Sequence, residues 1–190
     1  RYAPRLALDR RGVAIVVPGA VVGLGVGWAT ASVVPEAAVT LLVGLIGVAF
    51  ALNLLLRRPV VAEAKRAEVA PGLIWGAVTG FTSFVSHAGA PPYQVYTLPL
   101  GMTKAVFAGT STIAFAIINA VKLVPYYALG QLNLENLEMA AVLSGPAVIA
   151  VFAGVRLVRV MPARLFFRLV TWALLLISLK LIWDGTRGLI

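Results

Sequence analysis

The chain has 190 residues, 61% apolar and 12% charged, with a mean hydropathy of +0.96; a soluble domain carries about 45–50% and about 25%, so a soluble globular fold is excluded. The net charge of +9 sits in short basic clusters between apolar runs, not along one solvated face, which excludes a nucleic-acid surface and reads as topology signals and lipid-headgroup contacts. With no cysteine and a single histidine, His87, there is no disulfide framework, no thiolate chemistry and no metal-ligand cluster.

Residues 1–11 (RYAPRLALDRR) lack the apolar core of a cleaved signal peptide. Arg1 does not read as a native start, and the basic segment is expected on the cytoplasmic side. Crossing ~30 Å of hydrocarbon takes about 20 apolar residues. The charge-free stretches 12–34 and 37–56 meet that length, with Pro35-Glu36 as the turn, so 12–56 reads as an antiparallel helix pair. Arg57, Arg58, Lys65 and Arg66 assign the loop 57–70 to the cytoplasm. The stretch 70–103 then runs thirty-four positions without a formal charge, yet it is rich in Gly, Pro, Ser and Thr. Within it, 72–101 is long enough for one and a half helices and is interrupted at Gly89-Ala90-Pro91-Pro92, which predicts a broken, re-entrant segment near 87–92. Backbone left unpaired at membrane depth is tolerated only where it is buried in protein or lines a cavity. Further spans are predicted at about 102–129, 137–155 and 165–183. Arg156, Arg159, Arg164 and Arg168 place the last turn inside, whereas the loop from Gln131 to Glu138, with Glu135 and Glu138 and no base, faces out. One hairpin plus one span between those loops satisfies the count of crossings. The predicted class is all-α, a polytopic helical membrane protein.

An offset of 127 positions lays Pro18-Gly19-Ala20-Val21 on Gly145-Pro146-Ala147-Val148, Gly27 on Gly154, and Val33-Val34-Pro35 on Val160-Met161-Pro162. The first helix pair starts on the basic side and the second on the acidic side, so the repeats are inverted, an arrangement that places a transporter's site at the repeat interface. The counterpart of Pro71 falls at position −56 (71 minus 127), so the first copy's broken segment is expected upstream of Arg1. The chain is expected to lack about one re-entrant element and one helix; the alternative is a naturally short protein that pairs with another copy as a homo-oligomer.

On a helix entering the break, Gly72, Gly76, Thr79, Gly80, Ser83, Ser86 and His87 share one face. The glycines alone suit close helix packing, while Ser83, Ser86 and His87 suit a substrate face. His87 is either an interior histidine bonded to a carbonyl or a group that couples protons or contacts an anion. A half-helix starting near Pro91 would aim free N–H groups and its positive dipole end at an anion, unless the break is a mere kink. On the next span Lys104, Ser111, Phe115, Asn119 and Lys122 share a face. Lys104 and Lys122 lie about 27 Å apart along a helix; singly each suits snorkelling, together they make a polar stripe with positive ends, and Pro125 is expected to bend or end the helix near Lys122. No Asp or Glu lies deep in a span, which disfavours cationic substrates. Neither a P-loop nor a nucleophile with a paired base is present, so no enzyme and no cofactor is expected.

The run Gly80-Phe81-Thr82-Ser83-Phe84-Val85-Ser86-His87-Ala88-Gly89-Ala90-Pro91-Pro92, followed by Lys104, Gly109-Thr110-Ser111, Asn119 and Lys122, resembles the second-half signature of the TauE/SafE sulfite-exporter family, also called the toluene sulfonate uptake permeases. The resemblance covers the whole chain, about three quarters of the usual family length, without the Gly-rich first-half motif. It implies transport of small sulfur-containing or other organic anions across the bacterial inner membrane. The expected function is therefore a permease for a small anion working by alternating access; the alternative is a non-transporting scaffold or transporter subunit. The candidate contacts are Ser83, Ser86, His87, Gly89, Pro91 and Pro92 at the break, completed by Lys104, Ser111 and Asn119.

Overall fold

In the computed structural model, residues 8–56, 67–130 and 132–189 are described. Arg1, Arg5, Arg57, Arg58, Lys65, Arg66 and Gln131, used above to assign sides, lie outside the described residues. The first helix, α1 (Arg10–Thr30), opens where the Asp9 carboxylate accepts the Gly12 amide at 3.0 Å, an N-cap that satisfies one of the unpaired first-turn donors. It is followed by α2 (Glu36–Leu56), α3 (Val69–Val85), α4 (Ala90–Thr97), a short 3-10 turn at Leu98–Leu100, α5 (Lys104–Ala128), α6 (Leu134–Val160) and α7 (Ala163–Leu189). Thr103 and Asn133 cap α5 and α6 in the same way as Asp9 caps α1. Five helices, α1, α2, α5, α6 and α7, are long and apolar enough to cross a membrane, which makes the chain an all-α multi-pass protein. The predicted spans agree with these helices except at their ends: α6 and α7 each extend to 27 residues, about 40 Å, because their charged end turns continue the helix beyond the apolar run. Pro125 does not end α5, which runs on to Ala128.

Two helix pairs organise the fold, and both depend on missing side chains. On α1 and α3, Val16 meets Gly76, Ala20 meets Gly80 and Gly27 meets Phe84, so numbers rise together and the helices are parallel. A Cβ on Gly80 would lie 2.6 Å from the Ala20 carbonyl carbon; only a hydrogen there lets the two backbones touch, the way small residues join helices where lipid removes the hydrophobic drive for association. The glycine stripe Gly72, Gly76, Gly80 is thus a packing face within the chain. On α2 and α7, Ala37 meets Gly185 and Gly188, Leu41 meets Gly185, and Gly44 and Gly47 meet Ser178. Here numbers rise against falling ones. Gly47 and Leu174, which the 127-residue offset lays on each other, lie on the facing stretches.

Burial differs between α1 and α6, which the 127-residue offset also lays on each other. Whereas α1 buries Val16, Ala20, Gly23, Leu24 and Gly27 against its neighbours, α6 has no buried residue, and Gly145 and Gly154 face open space. Nothing among the described residues stands to α6 as α3 stands to α1.

Candidate functional site

At the break, after α3 ends at Val85, the donors of the reversal gather on one carbonyl, that of Thr82. The Thr82 carbonyl accepts the Ser86 amide (3.1 Å), the Ala88 amide (3.2 Å) and the Ser86 hydroxyl (3.1 Å), which winds the chain back on itself instead of onward. His87 makes the reversal with φ of +52°, in the left-handed region. Gly89 then lies against α3, where a Cβ would sit 2.8 Å from the Ser83 Cβ and 3.0 Å from the Thr79 carbonyl. From there α4 returns antiparallel to α3, and the Tyr96 hydroxyl reaches the Glu68 carbonyl beside the start of α3 (3.1 Å). Pro91 packs near Gly47, halfway along α2, so the returning half-helix begins in the middle of the bundle.

Its amino end differs from expectation. Pro91 and Pro92 occupy the second and third positions of α4 and carry no N–H, and the Tyr93 amide is already bonded to the Gly89 carbonyl (3.3 Å). Few amide donors therefore remain for a ligand, chiefly those around Gly89. Both prolines are fully buried in packing; they position the break and do not line an open space.

The exposed end of α3 is met by a residue outside the candidate list. Lys122, only 6% exposed, donates to the Ser83 carbonyl (2.7 Å) and the Ser83 hydroxyl (3.2 Å). A cation at a helix C-terminus satisfies its last carbonyls and the negative end of its dipole. The ammonium lies 5.6 Å from the centre of the Tyr126 ring, whose hydroxyl approaches His87 Nδ1 at 3.5 Å. Ser83, Ser86, His87, Gly89, Lys122 and Tyr126 thus form one cluster. In sequence Lys122 is marked only by its register with Ser111 on α5, a position that suits snorkelling as well; the α3 terminus beside it decides its role.

Lys104 belongs elsewhere. It donates to the Arg159 carbonyl (3.1 Å) and to the Met161 carbonyl, capping the C-terminal end of α6 at the basic end of the bundle. Asn119 is exposed on α5. Ser111 lies between the two ends, its buried hydroxyl beside that of Tyr93 on α4, and the buried Thr79 hydroxyl on α3 has no hydrogen-bond partner among the described residues. Of the nine predicted contacts, the structure brings together the six at the break, sets Ser111 beside Tyr93 on α4, and places Lys104 and Asn119 elsewhere.

Ser86 also lines a cavity of about 520 Å³ formed with Thr40, Glu36, Leu181 and Asp184, between the start of α2 and the end of α7. Asp184 is paired with Lys180 one turn back. No group of residues among those described could hold a metal ion. A buried ammonium, hydroxyls and a few free amides are groups that can hold a small anion.

A family model described as Sulfite exporter TauE/SafE matches residues 1–181. Neither the curated proteins nor the solved structures contain a match to the chain.

Proposed function

The chain belongs to the TauE/SafE family of sulfite exporters, a membrane transporter family, and we propose that it carries a small sulfur-containing or organic anion, such as sulfite or a sulfonate, across the bacterial inner membrane. In this reading Ser83, Ser86, His87 and the backbone around Gly89 contact the anion, while Pro91 and Pro92 hold the break in place. The observation that carries it is Ser86, which belongs both to the reversal after α3 and to the wall of the 520 Å³ cavity. Alternating access fits an irregular backbone segment that interrupts a helix in the middle of a membrane bundle. A scaffold role is not favoured, because the glycine face that would serve assembly is occupied within the chain by α1. The full-length protein in liposomes should move labelled sulfite or a sulfonate down its gradient, and Ser86→Ala and His87→Ala should slow that flux without affecting insertion. Absence of flux for every sulfur oxyanion tried, or equal flux in both variants, would refute the proposal.

A further inference from the structure

We propose that Lys122 is the counter-charge of the transported anion and that the site is matched to one negative charge, accepting monoanions such as sulfonates or hydrogensulfite in preference to dianions such as sulfate. The inference rests on the reading that the protein transports a small sulfur oxyanion, and it adds the charge state of the substrate and the residue that senses it.

Burying an ammonium is costly unless it is paired. Lys122 is buried, yet among the described residues no carboxylate approaches it; the one ion pair there joins Lys180 and Asp184. Its partners are the Ser83 carbonyl and hydroxyl at the end of α3. That helix end supplies roughly half a negative charge, so an uncompensated positive remainder persists inside the bundle. An ammonium has three donors, and two are engaged by Ser83. A monoanion taken up by the third donor leaves the cluster within about half a charge of neutrality. A dianion would exceed what one ammonium offsets and leave more than one negative charge in a medium of low dielectric constant.

The surroundings act in the same direction. Glu36 and Asp184 line the cavity next to Ser86, and Lys180 offsets Asp184 only, so the approach is weakly negative and repels a double charge more than a single one. Lys122 keeps both Ser83 bonds when the third donor is empty, so the ammonium is never bare.

The test uses the full-length protein in liposomes with labelled sulfite at constant ionic strength. Methanesulfonate, a monoanion, should inhibit uptake at a concentration at least about tenfold below that at which sulfate does, given how steeply desolvation penalises an uncompensated charge. Lys122→Met should lower flux about a hundredfold, within the range seen when one partner of a buried, hydrogen-bonded charge pair is truncated, and Lys122→Arg should restore part of it. If Lys122→Met fails to insert, the comparison of inhibitors on the unaltered protein decides. Equal inhibition by the two anions, or undiminished flux in Lys122→Met, overturns this inference and leaves the transport reading intact. An unaltered protein that moves no sulfur oxyanion overturns the transport reading, and this inference with it.

Discussion

Replacing Gly80 by Ala adds one methyl at the tightest part of the α1–α3 seam, and the structure sets its cost. The new Cβ would lie 2.6 Å from the carbonyl carbon of Ala20 and 2.8 Å from its Cα, with the carbonyl oxygen nearer still. Carbon pairs settle at about 3.5–4.0 Å, so the helices must part by roughly 1 Å, and a gap of that size forfeits up to about half of each dispersion contact along the seam. Neither side can yield locally, because every crowding atom is backbone in the middle of a helix. Overpacking of this kind costs about 1–3 kcal/mol, and the upper end applies where no flexible side chain can swing aside. The same change at Gly145 meets nothing within 4 Å and exchanges a poor helix former for the best one, a gain of up to about 1 kcal/mol. Thermal or SDS-titrated unfolding of the purified protein in detergent should therefore move in opposite directions for Gly80→Ala and Gly145→Ala. Unchanged stability in Gly80→Ala, or comparable damage in Gly145→Ala, would show that the α1–α3 backbones do not approach as described.

His87→Val should cost about 1–2 kcal/mol, because a β-branched residue resists the left-handed backbone at φ +52°, whereas His87→Gly should not; flux should fall equally in both if the ring itself serves the anion. Lys104→Met removes the cap on the Arg159 and Met161 carbonyls and should lower stability by about 1 kcal/mol. Its flux, and that of Asn119→Ala, should stay within about twofold of the unaltered protein, the mark of residues outside the transported path; a loss as large as that of Lys122→Met would place them in it.

Much of the site's outline is legible before any coordinates. Gly89-Ala90-Pro91-Pro92 marks the interruption because two adjacent prolines cannot donate to a preceding turn, and the return after α3 does fall there. The glycine spacing on α3 announces a face but not its use: Gly72, Gly76 and Gly80 suit packing and substrate equally until α1 is seen against them. Lys104 and Lys122 share one face of α5 in sequence, yet each finishes the end of a different helix, α6 and α3. Those helix ends are distant in the chain from the lysines they receive, so no local pattern records the pairing.

The order of spans along the chain and the position of the interruption follow from sequence alone, because hydropathy and the backbone chemistry of Pro and Gly act on neighbouring residues. Which helices touch, that α1 runs parallel to α3 while α2 opposes α7, and which lysine enters the cluster at the break were decided only in the tertiary structure. Close backbone approach and the burial of a charge are properties of two segments at once, and neither segment specifies them by itself.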